Sequence, residues 1–293
     1  MPTDQTMSKL TIMKGLPGSG KTTKALELLK VGNTVRINKD LLRTMLHGDV
    51  FNGRNEGLTQ DASRVLTEYF LKKGINVIDD NTNLNPDTVS RLKNLALSND
   101  AKIEYQDLTN ESWEQCMMRD YGREKRVGKN VILKMALQYL EAWKGEEVII
   151  CDLDGTLCNI DHRLHFAKSE PKDWKSFFEG IPHDSIKKDT VEKIAKLMRE
   201  HIGIRLIFVS ARPETYRAVT EAWLEKNFDY TYCALIMREA NDKREDSVVK
   251  KEIYDKYLKN LKITKVFDDR PRVIRMWKEL GLEVEDCGNG VDF

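Results

Sequence analysis

Gly15-Leu16-Pro17-Gly18-Ser19-Gly20-Lys21-Thr22 follows the apolar run Leu10-Thr11-Ile12-Met13 and leads into the amphipathic stretch Thr22 to Leu29. The pattern GxxxxGKS/T between a strand and a helix predicts a loop whose backbone N–H groups turn inward around phosphate oxygens. Lys21 offers a positive charge to the β- and γ-phosphates of a nucleoside triphosphate, and the Thr22 hydroxyl can hold Mg2+. The helix that follows points its positive end at the same anion. Gly15, Pro17, Gly18, Ser19, Gly20, Lys21, Thr22 and Thr23 are therefore the candidate nucleotide-binding residues.

Outward from this loop, short apolar runs alternate with longer amphipathic ones. Val35-Arg36-Ile37, Ile75-Asn76-Val77-Ile78 and Lys102-Ile103-Glu104-Tyr105 read as strands. Asp61 to Lys72, Val89 to Leu97, Trp113 to Asp120 and Val131 to Trp143 read as helices. Such alternation predicts a mostly parallel sheet covered on both faces. After the polar break Lys144-Gly145-Glu146-Glu147 the cycle restarts. Val148-Ile149-Ile150-Cys151 is a β-branched run of the buried, parallel-strand type. Leu206 to Val209, Cys233 to Ile236 and Lys265 to Phe267 follow with helical stretches between them. The expected fold class is α/β, with two doubly wound parallel-sheet domains at residues 1–145 and 146–293 and no Pro- or Ser-rich linker.

Composition sets outer bounds. The 293 residues are 40% hydrophobic and 32% charged, enough apolar content to bury a core. Nothing approaches the ~18 consecutive apolar residues of a membrane span. Residues 1–7 show no basic stretch followed by an apolar run, so no secretory signal is expected. The five cysteines (Cys116, Cys151, Cys158, Cys233 and Cys287) are scattered without CxxC, which fits a reducing cytoplasm better than a disulfide scaffold or a zinc site. The formal charge is +1, which by itself names no polyanion partner. A local basic excess lies in residues 117–134, where Arg119, Arg123 and Arg126 recur at spacings of four and three. That spacing predicts one helical face, able to neutralise charge on a transferred phosphoryl group, although a charge-rich helix is also an ordinary solvated face.

A phosphate cradle leaves open what attacks the phosphate. Asn38-Lys39-Asp40-Leu41-Leu42-Arg43 follows the second strand. Asp40 and Arg43, three apart, share a face on a helical turn. A carboxylate there could take the proton of an acceptor hydroxyl, and the guanidinium could grip an acceptor phosphate. The bland alternative is an N-cap Asp and a surface Arg. Asp79-Asp80-Asn81-Thr82-Asn83-Leu84-Asn85-Pro86 ends the third strand, where open α/β sheets bind ligands. Either Asp79 or Asp80 could ligate Mg2+ through water, or the cluster could be an Asx turn before Pro86.

The second half carries Asp152-Leu153-Asp154-Gly155-Thr156 at the end of its first strand. This spacing suits covalent phosphoryl transfer, with Asp152 as nucleophile and Asp154 protonating the leaving oxygen and then activating water. Ser210-Ala211-Arg212 offers a hydroxyl to phosphoryl oxygens, and Asp268-Asp269 supplies carboxylates for Mg2+. Lys250, between them in sequence, could neutralise the phosphorylated aspartate.

Taken in order, GLPGSGKTT, INKDLLR, NTNLNP, DLDGT, VSAR, SVVK and FDDR resemble the bifunctional polynucleotide kinase-phosphatases of the bacteriophage T4 type over nearly the whole chain. The second domain also resembles the wider haloacid dehalogenase superfamily. The resemblance implies a P-loop kinase fold followed by a haloacid dehalogenase-like fold with a small cap. It implies ATP and Mg2+ as cofactors, with Lys21, Thr22 and the lid arginines Arg119 and Arg123 on the nucleotide. Arg126 competes with Arg123 for the lid role, because the lid is shorter here and lacks the usual proline. Asp40 would be the base on a 5′-hydroxyl, Arg43 would hold a 3′-phosphate, and Thr82 would lie near the acceptor. Arg163, Ser210, Arg212, Arg238, Asp246 and Lys250 match functional positions of the phosphatase. The expected metal ligands are Thr22, Asp152, Asp154, Asp268 and Asp269. The family's DTNLNP begins here with Asn81, so its Asp is shifted to Asp80 or lost, and the segment from Leu164 to Pro182 departs most.

The implied activity is transfer of the ATP γ-phosphate to 5′-hydroxyl ends of RNA or DNA and removal of 3′-phosphate or 2′,3′-cyclic phosphate ends through an aspartyl-phosphate. Partners would be nucleic-acid termini and a polynucleotide ligase, with no membrane. The resemblance also implies a homotetramer and a cytoplasmic location, the host cytoplasm for a phage protein. A kinase-phosphatase acting on a small phosphate or nucleoside would carry the same motifs, and a non-catalytic nucleotide-binding scaffold is the third reading.

Overall fold

The computed structural model describes residues 7–48 and 53–290. The chain divides into two compact units, Met1–Leu140 and Glu141–Phe293. The division falls before the polar break because Trp143 is buried in the second unit, with the Arg205 guanidinium 5.0 Å over its ring.

In the first unit, strands β1 (Lys9–Lys14), β2 (Thr34–Ile37), β3 (Asn76–Asp79) and β4 (Lys102–Asp107) form one sheet in the order β2-β3-β1-β4. Every pairing is parallel. The helices are α1 (Lys21–Leu29), α2 (Lys39–His47), α3 (Gly53–Lys72), α4 (Pro86–Leu97), α5 (Trp113–Tyr121) and α6 (Lys129–Tyr139). Leu10, Ile12 and Val77 pack with Ile37, Leu71 and Ala96 on one side of the sheet, while Met13 and Ile78 meet Ala25 on the other. Each such buried aliphatic side chain stabilises the fold by roughly 1.5–3 kcal/mol. Side-chain caps fix where the helices begin. Asn38 accepts from Leu41 N at 3.0 Å, Asn85 from Asp87 N at 2.8 Å ahead of Pro86, and Ser112 from Gln115 N at 3.2 Å.

Two expected helices depart most from their expected bounds. The one read from Asp61 begins at Gly53, because its first turns hold Gly53, Asn55 and Gly57, whose weak propensity masks them in the sequence. The one read as Val131 to Trp143 ends at Tyr139, and Glu141–Trp143 forms a separate 3-10 turn.

The second unit has β5 (Glu147–Cys151), a short antiparallel pair β6 (Cys158–Asn159) and β7 (Ser185–Ile186), then β8 (Arg205–Pro213), β9 (Ala234–Arg238), β10 (Lys262–Asp268) and β11 (Val284–Asp286). Its main sheet is parallel in the order β11-β10-β5-β8-β9. Helices α7 (Leu164–Lys168) and α8 (Trp174–Glu179) lie with β6 and β7 in the insertion between β5 and β8, the position of a small cap. Helices α9 (Lys188–Glu200), α10 (Arg217–Asn227), α11 (Asp246–Ile253) and α12 (Pro271–Glu279) complete the unit. The strand order reverses between β5 and β10. In an open α/β sheet a ligand binds beyond the carboxyl ends of the strands at such a reversal. Among the described residues, no helix is long and apolar enough to cross a membrane.

Candidate active sites: a phosphate cradle and a carboxylate cluster

In the first unit, β1 delivers the chain into the glycine loop, anchored where Gly15 N donates to Thr82 O at 3.1 Å. Gly18 has φ 84°, and a Cβ there would sit 2.2 Å from Cys116 O. Only glycine allows α5 to lie this close against the loop. Lys21 is buried, and its ammonium folds back to donate to Leu16 O at 2.6 Å and Ser19 Oγ at 3.4 Å. Burial pushes this ammonium down to about 8; nearby Asp80 and Asp40 pull it up, and Arg123 pushes it further down. The charges of Asp80, Asp40 and Arg123 thus all reach Lys21.

The two adjacent aspartates divide the work. Asp80 Oδ2 accepts from Thr22 Oγ1 at 3.1 Å and from Arg36 Nε at 2.8 Å, while its Oδ1 is buried without a hydrogen-bond partner. Asp79 instead accepts from Asn81 Nδ2 and Asn83 Nδ2, both at 2.8 Å. Burial raises the Asp79 carboxyl, and those two amides oppose the rise. An orphaned carboxylate oxygen beside the Thr22 hydroxyl is the donor set a hydrated Mg2+ would satisfy. The residues present therefore fit both a triphosphate and its cation.

Asp40 is not the cap of α2, since Asn38 fills that place. Its side chain is 84% exposed and pairs with Arg43 at 2.6 Å. Arg43 is half-buried and donates to both Glu56 oxygens, with Nη2 to Oε2 at 2.9 Å. Glu56 had no signal in the sequence beyond its charge.

The arginine-rich segment does not form one helical face. The helix α5 stops at Tyr121, capped by Gly122, so only Arg119 lies on it. Arg119 Nη1 donates to Glu111 at 2.9 Å and approaches Gly18 O at 3.4 Å. Arg123 sits 3.5 Å from Asp120, and its charge reaches Lys21. Arg126 stacks on Tyr121, 4.2 Å from the ring centroid. Asp120, buried, accepts from the N–H groups of Val127 and Gly128, which folds the turn back onto the helix.

In the second unit, Asp152 leaves β5 and Asp268 ends β10, side by side at the reversal. Carboxylate oxygens of Asp152, Asp268 and Asp269 lie within 4.8 Å of one another, and all three residues are buried. Lys250, from α11, reaches between them, with Nζ 2.9 Å from Asp152 Oδ1 and 2.7 Å from Asp268 Oδ2. Burial works against this ammonium, but the two carboxylates hold it well above its ordinary value. Burial and the Asp268 charge push Asp269 up to about 6. Three converging carboxylates with one cation between them are an all-oxygen set suited to Mg2+. Gly155 has φ 81°, and a Cβ there would fall 2.0 Å from Asp269 Oδ2, so the turn after Asp154 depends on glycine.

Asp154, expected among the metal ligands, is not in that cluster. Two fully buried arginines hold its carboxylate: Arg163 Nη2, and Arg212 through Nη2 at 2.6 Å and Nε at 3.0 Å. Burial alone would raise Asp154, yet Arg212 and Arg163 keep it well below the usual carboxylate range. The same arginines share a residue the sequence reading passed over. Asp184 accepts from Arg163 Nε and Nη2, both at 2.6 Å, and from Arg212 Nη2 at 3.1 Å. Two buried guanidinium groups need two anions, a requirement that only the fold reveals.

Of the other expected residues, Arg238 and Asp246 line the pocket over the carboxylates, whereas Ser210 lies outside its lining. Ser210 is fully buried, and its Oγ accepts from Arg212 N at 3.2 Å. Arg238 Nη1 donates to the carbonyls of Asp242 and Arg244, while its buried Nε has no hydrogen-bond partner. Asp246 pairs with Arg270 and with Arg272 Nε at 2.8 Å. Asp152, Asp154, Arg238, Asp246, Lys250 and Asp269 all line one cavity of about 630 Å³.

Comparisons with known proteins match the chain in two parts. A family profile described as "Polynucleotide kinase PNKP phosphatase domain" matches residues 146–293, and one described as "AAA domain" matches residues 10–142. A "Putative bifunctional polynucleotide kinase/RNA ligase" from Autographa californica nuclear polyhedrosis virus is 29% identical, covering 93% of this chain and 41% of that protein. The chain thus spans about two-fifths of the length of this curated relative. A solved structure described as "Structure of Pnkp1/Rnl/Hen1 complex" is 26% identical, covers 100% of both chains and has a TM-score of 0.42. A class C acid phosphatase from Bacillus anthracis with tungstate bound is 14% identical over 43% of this chain and 53% of that one, with a TM-score of 0.33.

Proposed function

The chain belongs to the polynucleotide kinase phosphatase family, whose profile spans residues 146–293, and we propose on that premise that it is a two-site nucleic-acid end-healing enzyme of the bacteriophage T4 arrangement. Its first unit would move the γ-phosphate of ATP to a 5′-hydroxyl, and its second would remove a 3′-phosphate. The observation that carries the reading is the meeting of Asp152, Asp268 and Asp269 around Lys250 at the sheet reversal, in a chain that also holds a complete P-loop with Thr22 on Asp80.

In the first site, Asp40 takes the proton of the 5′-hydroxyl as its oxygen attacks the γ-phosphorus and the bond to the β-phosphate oxygen breaks. Arg43, steadied by Glu56, holds the acceptor's phosphate beside it. Arg119 and Arg123 approach the donor phosphates. Thr22 and Asp80 would hold Mg2+, which supplies charge neutralisation when bound.

In the second site, an Asp152 oxygen attacks phosphorus and the bond to the 3′-oxygen breaks. Asp154 gives that oxygen its proton. Asp154 then takes a proton from water, whose oxygen attacks the aspartyl-phosphate and releases phosphate. Held by two guanidinium groups, Asp154 is ionised in the free pocket. The negative charge of a dianionic substrate beside Asp154 would raise the carboxyl and let it take up a proton. Lys250, already beside Asp152, and the Arg238 Nε, which is buried without a hydrogen-bond partner, would meet the phosphoryl oxygens. Asp152, Asp268 and Asp269 would hold Mg2+. The product ends, 5′-phosphate and 3′-hydroxyl, are those a polynucleotide ligase joins, so such a ligase is the partner proposed.

The test is incubation with labelled ATP, Mg2+ and a short RNA bearing a 5′-hydroxyl and a 3′-phosphate. Label entering the 5′ end and loss of the 3′-phosphate are expected, and unlabelled oligonucleotide at low salt should compete with both. Turnover of small phosphates that oligonucleotides do not inhibit would favour a small-molecule enzyme instead.

A further inference from the structure

The cavity over the carboxylates of the second unit is larger than phosphoryl transfer needs, and part of its wall has no role in that chemistry. Lys172, Trp174, Phe177 and Phe178, from the capping insertion, line it together with Asp152 and Asp154. Trp174 opens α8 and is 42% exposed. Its backbone is fixed, because Asp173 caps the helix by accepting from Ser176 N at 3.0 Å and Ser176 Oγ at 2.7 Å. Its indole is fixed as well. Phe178 lies nearly parallel to it, with centroids 6.0 Å apart and planes at 22°, and Phe177 meets it edge-on at 5.7 Å and 89°. Phe178 is backed in turn by Tyr216 at 4.9 Å.

A pre-ordered aromatic surface open to water inside a phosphate-binding pocket is matched by a ligand that brings a phosphate and a flat ring together. The terminal nucleotide of a 3′-phosphate end is such a ligand. Lys172 Nζ sits 5.5 Å from the indole centroid, and at an exposed site that contact is weak enough for a base to displace it.

We propose that Trp174 is the platform on which the base of the terminal nucleotide stacks, so that the phosphatase selects 3′-phosphate ends that carry a base. The inference rests on the 3′-phosphatase reading above and adds a determinant of its specificity. Stacking tolerates any base, because every base offers a π-face, so the platform confers no sequence preference.

Two 3′-phosphorylated oligonucleotides that differ only in whether the terminal nucleotide is abasic test it. The wild type should show a kcat/KM about 5- to 150-fold higher on the end with a base, expressed mainly in KM. Trp174→Ala should bring the ratio of the two substrates close to one, and Trp174→Phe should keep most of it. A ratio near one in the wild type overturns the proposal. So does a Trp174→Ala enzyme that slows on both substrates alike, which would mark Trp174 as packing for α8. If the wild type releases phosphate from neither oligonucleotide, the 3′-phosphatase reading fails and the platform fails with it, a result visible before any variant is made.

Discussion

Asp184 shows how one side chain can decide a site without touching the reaction. Arg163 and Arg212 are fully buried, and Asp154 alone cannot balance two guanidinium charges. Asp184 supplies the second anion and holds both arginines in place for Asp154. Removing one partner from a buried ionic cluster costs about 3–5 kcal/mol. Asp184→Ala should therefore lower the thermal unfolding temperature of the second unit and depress 3′-phosphatase turnover, with 5′ transfer intact; an unchanged melting profile would contradict the account. The motif residues around this cluster were legible because DLDGT and FDDR are local. Asp184 was not, because its partners lie 21 and 28 positions away in sequence. The choice between Asp79 and Asp80 was also beyond the sequence. Successive residues of an extended chain face opposite sides; Asp79 ends β3 and Asp80 follows it, and only the fold shows that Asp80 is the one that meets Thr22.

Among the elements, α5 and the turn after it differ most from the sequence expectation. The spacing of Arg119, Arg123 and Arg126 suggests one continuous face, but Gly122 ends the helix first. Gly122 and Gly128 were the visible punctuation, and charge periodicity masked it. Asp120 holds the turn by accepting from Val127 N at 3.1 Å and Gly128 N at 2.9 Å. Hydrogen bonds to a charged group are worth roughly 1.5–3 kcal/mol. Asp120→Ala should loosen the turn and raise the KM for ATP severalfold with little change in 3′-phosphatase activity, measured as initial rates at varied ATP. The α8 segment raises the converse problem. The stretch from Leu164 to Pro182, which departs most from the family, holds α7 and α8, both too short for a helical period to register.

At the scale of the molecule, alternation of strands and helices made both sheets legible, whereas the strand orders β2-β3-β1-β4 and β11-β10-β5-β8-β9 were not. Parallel crossovers can skip a neighbour, and only packing decides which. Each unit has its own sheet and its own buried core. A fragment of residues 141–293 should accordingly fold and remove 3′-phosphates without transferring any, as seen by circular dichroism and phosphate release; an unfolded or inactive fragment would count against self-sufficient units. Chelation with EDTA should stop both reactions of the full chain, and added Mg2+ should restore both. The central claim is that loading and stripping of phosphate occur in two separate pockets. Its most direct measurement follows both ends of one RNA, bearing a 5′-hydroxyl and a 3′-phosphate, through the reciprocal variants Asp40→Asn and Asp152→Asn. Asp40→Asn should lower 5′ transfer by about 10²–10⁴-fold with 3′ removal intact, and Asp152→Asn should abolish 3′ removal with 5′ transfer intact. Loss of both activities from either single variant, with the protein still folded, would contradict it.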